Sequence, residues 1–146
     1  MYFVQLIYAS RIKQENFDQN TVKQIQDVAL KFNQKNNVSG VLFCDGSYFL
    51  QALEGSRSKV SALYNKIAKD ERHQDVTLLA MNDIAVRDFG DWSMELLSYK
   101  AETIDVLKRF TVANDFNPFL LSSESSKELL RCLAMNQTTE RLKNAS

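Results

Sequence analysis

Apolar side chains crowd the start of the chain. Residues 2–8 read Tyr-Phe-Val-Gln-Leu-Ile-Tyr, β-branched and aromatic, and stop at Ala-Ser-Arg, which predicts a first strand. From about residue 21 to 36 the spacing changes: Val22, Ile25, Val28, Ala29 and Phe32 recur at threes and fours, predicting an amphipathic helix with one inward stripe. Ser39-Gly40 breaks that pattern. Residues 41–44 and 48–53 are two short apolar runs joined through Asp45-Gly46, a hairpin signal because Asp-Gly supplies the positive φ of a tight turn. Val60, Leu63, Tyr64 and Ile67 then return to helical spacing within residues 58–70, with Ser56 or Ser58 as the N-cap. Residues 76–81 are an apolar run of strand length, and residues 92–97 add one more strand.

The order β-α-β-β-α-β, followed by a further strand, is that of an α+β, ferredoxin-like split βαβ fold. Both crossover helices then share one face of the sheet, and strands one and three lie side by side at its centre. After Tyr99 the pattern becomes helical: Ile104, Val106, Leu107 and Phe110 predict one helix, Asn117-Pro118 breaks it, and Leu129, Leu130, Leu133 and Met135 predict another. The expected arrangement is a C-terminal helical hairpin, residues 100–146, packed on the otherwise bare face of a sheet domain of residues 1–99. No internal repeat is visible.

Composition narrows the function classes. The 146 residues suit one domain, and 45% hydrophobic content with only 4 Gly and 1 Pro supports a real core. The 18 Lys+Arg balance 18 Asp+Glu, so no one-signed field draws nucleic acid or anionic lipid. Two cysteines, Cys44 and Cys132, make neither a disulfide framework nor a metal cluster and are read as packing residues. The start lacks a basic segment ahead of its apolar run, and no apolar stretch approaches the ~18 residues of a membrane span; the expected location is cytoplasmic.

Polar groups stand where the core should be. In alternating strands Val4, Leu6 and Tyr8 share a face, as do Phe49, Gln51 and Leu53. Asn33 follows Ala29 by one helical turn, beside the buried stripe. Buried alone, each amide or phenol is most simply a satisfied core group. Converging, a Tyr hydroxyl with Gln and Asn amides forms a neutral donor and acceptor set suited to a flat heterocycle with imide edges, held between two helices over a sheet.

The stretches LIYASR at 6–11, NNVSGVLF at 36–43, SYFLQALEG at 47–55, KDERH at 69–73 and RDFGDWSM at 87–94 resemble the BLUF domains, flavin-binding blue-light sensors. The resemblance covers residues 2 to about 99. It implies a flavin, FAD by the family's habit with FMN as the alternative, bound non-covalently between the two helices of a ferredoxin-like sheet. It further implies that Tyr8 is the light-driven electron and proton donor, and that Gln51 bridges Tyr8 to flavin N5 and C4=O. Asn33 would hold the C4=O and N3 edge, and Ile25 and Ile67 would pack on the two ring faces. Asp70 and Arg72 match flavin-contacting residues, His73 matches the family's Arg-His pair, and Trp92 and Met94 match tail-strand residues that change environment on illumination. Phe32 stands where some members have His, and Ser39 where Thr is frequent.

The mechanism the resemblance implies is a brief Tyr8–flavin radical pair whose recombination leaves the Gln51 amide rotated or tautomerised, with a red-shifted absorption. With no catalytic or metal constellation in the sequence, the expected output is an altered interaction with a separate effector or regulator protein, or with a second copy, rather than an enzymatic reaction. The competing reading is a ferredoxin-like protein- or RNA-binding module without photochemistry, since the same strand order hosts RNA-recognition domains. It lacks an RNP1-like run here. A hydrolase would need a nucleophile and base, and His73 is the only histidine. By default the charge runs at 69–72 and 124–131 are solvated helix faces.

Overall fold

The computed structural model describes residues 3–13, 15, 18–112 and 115–145. Its elements are β1 (Phe3–Ile12), α1 (Gln19–Asn36), β2 (Ser39–Cys44), β3 (Tyr48–Ser56), α2 (Arg57–Ala68), β4 (His73–Ile84), β5 (Glu95–Leu97), α3 (Ala101–Lys108), a 3-10 turn (Pro118–Leu120) and α4 (Ser123–Ala145). Tyr2, expected in the first strand, lies outside the described residues. The five strands form one sheet in the order β4-β1-β3-β2-β5, antiparallel except for β5, which runs parallel to β2. This is the expected ferredoxin-like α+β fold with β1 and β3 paired at its middle.

Local signals account for the helix ends and the hairpin. Asp18 caps α1 by accepting from the Thr21 amide at 2.7 Å, and Asn37 ends it in the left-handed region with φ 56°, a conformation asparagine tolerates. In the hairpin, Gly46 takes φ 97° while Asp45 Oδ1 accepts from the Ser47 and Tyr48 amides, each at 2.9 Å. Ser56 occupies the N-cap position of α2, but its hydroxyl makes no capping bond.

Both faces of the sheet are covered. Val4, Leu6, Tyr8, Leu42, Phe49 and Leu53 pack with Val22, Ala29, Val60 and Leu63 of α1 and α2. Ile7, Ala9, Val41, Phe43, Leu50 and Ala52 point the other way, against Val106 and Leu107 of α3 and Leu129, Leu130 and Leu133 of α4. The helical hairpin therefore lies where it was expected. Met135 does not join the core: it is 71% exposed, one position out of phase with the inward row. Burial on two faces also explains the near-continuous apolar runs of the central strands, since neither side needs polar residues.

Two strands depart from expectation. β4 runs from residue 73 to 84 rather than 76–81, because an edge strand with one solvated side carries polar residues at Gln74, Asp75 and Asn82 that break an apolar run. Its pairing with β1 shifts register twice, and Asp75 takes φ 55° there. β5 is shorter than the expected 92–97, and Trp92 precedes it. Gln137 of α4 fastens β5 from outside: its Oε1 accepts from the Ser98 amide at 2.8 Å, and its Nε2 donates to Leu96 O at 3.2 Å and Glu95 Oε1 at 2.8 Å. Arg141 adds an ion pair to Glu95.

Candidate functional site between two helices and the sheet

Tyr8 of β1 and Gln51 of β3 are direct cross-strand partners, so their side chains leave the same face side by side. The Tyr8 hydroxyl donates to Gln51 Oε1, and Gln51 Nε2 donates to Met94 Sδ at 3.3 Å. All three residues are buried. Burial holds the Tyr8 phenol well above its ordinary pKa, with the Tyr64 phenol and the Asp70 charge acting in the same direction. Tyr8 is thus a neutral proton donor, and Gln51 is the group that receives its hydrogen bond.

Around this pair lies a cavity of about 60 Å³ lined by Ile25 and Ala29 from α1, Leu63 and Ile67 from α2, and Asp70, Arg72 and His73 at one end. Ile25 and Ile67 form apolar walls above the Tyr8–Gln51 floor. Asp70 and Arg72 are not on a helix face, because α2 stops at Ala68. They pair with each other, Arg72 Nε lying 3.0 Å from Asp70 Oδ1 and 3.1 Å from Oδ2. That hydrogen bonding lowers the Asp70 pKa and raises that of Arg72. His73, the first residue of β4, is buried with Nδ1 2.9 Å from Ser10 Oγ, its ring 6.3 Å from that of Tyr8. Burial pushes its pKa down to about 4, so it is a neutral imidazole at pH 7.

Asn33 is fully buried but does not line this cavity. Its Nδ2 donates to Ser93 O, while Oδ1 is buried without a hydrogen-bond partner among the described residues. An acceptor held that way is costly unless a donor reaches it. The residues therefore fit a flat polar heterocycle: apolar walls, a hydroxyl–carboxamide floor and an unsatisfied carbonyl oxygen nearby. A pocket for such a ring system is commonly 300 Å³ or more, so admitting one requires the groups that line this cavity to move apart. A larger groove of about 670 Å³ lies at the hairpin tip beside Tyr48, Tyr99 and Phe116, remote from these groups.

Of the two tail-strand candidates, Met94 meets Gln51. Trp92 is half-buried on the opposite side, packed against the α3–α4 core and bordering a groove with Arg131, Ala134 and Met135 of α4. Met94 reaches Gln51 over Gly40, whose backbone it covers: a Cβ on Gly40 would lie 3.2 Å from Met94 Cε. Cys44 is half-buried at the end of β2, and Cys132 packs partly against the tail core.

Sequence reasoning missed a second polar cluster, on the tail side of the sheet. Glu54 is fully buried. Its Oε1 accepts from the Phe89 amide at 2.8 Å and the Ser39 hydroxyl at 3.4 Å; its Oε2 accepts from the Asp88 amide and Gln5 Nε2, each at 2.8 Å. Gln5 Nε2 also lies 2.8 Å from Asp88 Oδ2, and Lys127 of α4 approaches the same carboxylate at 3.6 Å. Arg87 ties in through Ser39 Oγ at 2.9 Å and Asn37 O at 2.6 Å. The signal was present, since Gln5 and Glu54 interrupt apolar strands as Tyr8 and Gln51 do.

Among the described residues there is no cluster of His, Cys, Asp and Glu that could hold a metal, and no helix is long and apolar enough to cross a membrane. The sheet face that an RNA-binding module of this strand order would leave open is covered by α3 and α4.

Comparison with known proteins gives a concordant result. A family model described as BLUF, sensors of blue-light using FAD, matches residues 3–95. The chain is 32% identical over 139 residues to the blue light- and temperature-regulated antirepressor BluF of Escherichia coli (strain K12), covering 83% of this chain and 34% of that protein. It is 39% identical over 66 residues to a photoactivated adenylate cyclase subunit alpha of Euglena gracilis, covering 45% of this chain and 6% of that protein. The chain thus spans about a third or less of the curated relatives it matches. Among solved structures, the photo-activated state of BlsA superimposes with a TM-score of 0.83 at 32% identity, covering 90% of this chain and 94% of that one.

Proposed function

The chain belongs to the BLUF family, whose members sense blue light with a flavin, and from that premise we propose that it is a photoreceptor whose signal arises at Tyr8, Gln51 and Met94. The observation that carries this reading is the hydrogen-bond relay from the Tyr8 hydroxyl through the Gln51 carboxamide to Met94 Sδ. FAD is the flavin we assign, held non-covalently between Ile25 and Ile67, with Asn33 Oδ1 offered to a donor edge and Asp70, Arg72 and His73 at the end of the slot.

When bound and excited by blue light, flavin supplies a strong oxidant. Everything else is done by side chains. The Tyr8 phenol is protonated far beyond neutral pH, so loss of its electron is coupled to loss of its proton, and Gln51 Oε1 is the acceptor in contact with that proton. Return of electron and proton restores Tyr8. A Gln51 carboxamide that has turned over then presents NH₂ toward Tyr8 and C=O toward Met94, replacing an acceptor with a donor at the Tyr8 end and a donor with an acceptor at the Met94 end. Gln51 can no longer donate to Met94 Sδ, so the contact that seats Met94 is lost. A buried two-state amide of this kind biases whatever it touches.

Residues 1–99 serve as the photosensor and residues 100–146 as the output element in this reading. Support comes from β5: Met94 leads directly into Glu95 and Leu96, which Gln137 and Arg141 of α4 hold. The signal leaves as a changed surface for a separate effector protein or a second copy, with no reaction catalysed by this chain. The decisive experiment is the absorption spectrum of the full chain before and after blue light. A red shift that decays in darkness, absent in Tyr8→Phe with flavin still bound, is the expected result. Flavin bound without any shift refutes the photoreceptor reading. Equal amide exchange in light and dark at residues 96–98 and along α4 refutes the output assignment.

A further inference from the structure

Asn33 is hydrogen-bonded at one end only. Its Nδ2 donates to Ser93 O, and because a backbone carbonyl can only accept, that bond leaves the carboxamide a single orientation, with Oδ1 turned away from Ser93. This oxygen is buried and has no partner among the described residues. Ser93 O thus decides that Asn33 presents an acceptor, and not a donor, to whatever lies beside it. Without Ser93 O, either end of the amide could face a ligand.

Ser93 O is the middle one of three successive carbonyls, each met by a donor. Trp92 O accepts from the Gly40 amide at 3.0 Å, Ser93 O from Asn33, and Met94 O from Gln26 Nε2 at 3.3 Å. The sheet holds this segment at Trp92 and again at Glu95, which pairs with Val41 of β2. Between those two anchors the chain bends at Ser93 and Met94, and both carbonyls are met by side chains of α1. Gln26 and Asn33 lie seven residues apart, two turns along one face of that helix. Ile25, beside Gln26, lines the slot, whereas Gln26 does not; it is half-buried and reaches the segment instead.

We infer that Gln26 is a positioning residue for flavin recognition: by holding Met94 O it seats Ser93 O, and Ser93 O orients Asn33 so that the slot takes a ring edge carrying an N–H donor. The inference rests on the flavin reading above and concerns the dark protein alone. Gln26→Leu removes the donor at similar size, and Gln26→Glu keeps the shape but sets an acceptor against Met94 O. Either change loosens Ser93 O and lets Asn33 turn its NH₂ toward the slot, so the preference for a donor edge falls.

Riboflavin and N3-methylriboflavin are the probes, because the methyl group replaces the one imide N–H of the ring system. The full chain with its bound flavin is dialysed in darkness against an equal mixture of the two, and the bound ratio is read by chromatography. A ratio does not depend on how much of the protein is folded. The wild type should enrich riboflavin about tenfold or more, and Gln26→Leu and Gln26→Glu should enrich it less by a factor of about three or more. Gln24→Leu, the same change at an exposed position of α1, should keep the wild-type ratio. If one Gln26 variant does not fold, the other decides. Weaker binding of both flavins at an unchanged ratio would make Gln26 a merely structural residue and overturn the inference, as would equal binding of the two by the wild type. A wild type that discriminates between them but shows no red shift in blue light would overturn the photoreceptor reading and leave this inference standing.

Discussion

His73 is the chain's single histidine, buried beside Ser10 and Tyr8, and it makes stability depend on pH in a calculable way. Its folded pKa is pushed from 6.5 to about 4, chiefly by burial; the nearby Asp70 charge opposes the shift and Arg72 adds to it. The folded chain therefore binds fewer protons than the unfolded chain between those values. Stability is complete above the unfolded pKa of 6.5 and is lost as pH falls toward 4. At 1.36 kcal/mol per pKa unit the whole effect is about 3 kcal/mol, of which about 2 kcal/mol falls between pH 7 and pH 5. Asp70, whose folded pKa is lowered, sheds its contribution only below its unfolded value of 3.8, outside that window. Urea denaturation of the full chain in darkness at pH 7, 6 and 5, compared with His73→Gln, isolates the imidazole because carboxylates barely titrate there. The wild type should lose about 2 kcal/mol across the range and the variant less than about 0.5 kcal/mol. Equal losses in both proteins would refute the assignment of a buried neutral imidazole.

Two further outcomes follow from packing. Leu133→Ala opens a cavity in the fully buried cluster of Leu129, Leu130 and Phe43 and should cost about 3 kcal/mol in urea denaturation, with a loss under about 1 kcal/mol arguing against a tightly packed tail. Gly40→Ala places a methyl 2.2 Å from Ala52 O and 3.2 Å from Met94 Cε; it should cost about 2 kcal/mol and displace the Met94 methyl resonance, and an unshifted resonance would show that Met94 does not cover Gly40.

Much of the sheet was legible because its elements obey local rules: Asp45-Gly46 makes the hairpin, and Ser39-Gly40 follows the end of α1. Tyr8 and Gln51 were visible for the same reason that Gln5 and Glu54 should have been, a polar residue inside an apolar strand. What separated the pairs was the face. A sheet buried on both sides leaves no polar row to set the phase, so the alternation that placed Tyr8 and Gln51 together said nothing about what Glu54 would meet. Its partners are backbone amides of a loop 34 residues further on, which no side-chain pattern encodes. Asn33 is buried, as its place beside the inward stripe indicated, but its pairing with Ser93 O was not readable, because helical spacing gives the side of a helix and not the depth along it. His73 belongs to an edge strand whose first turn of residues is too polar to read as a strand.

Gln137 does more than fasten β5 to α4. The two backbone groups its carboxamide engages, Leu96 O and Ser98 N, flank Leu97 and are the pair that another parallel strand would use. A side chain from α4 thus caps the open rim of the sheet, where an uncapped rim templates intermolecular pairing. Cutting the chain after residue 99 would uncap that rim and bare Ile7, Phe43 and Leu50 together, so the truncated protein would be expected to self-associate in light and darkness alike. The cover of one sheet face and the cap of its rim thus reside in a single helix, whose opposite side carries the exposed Met135 and Leu142.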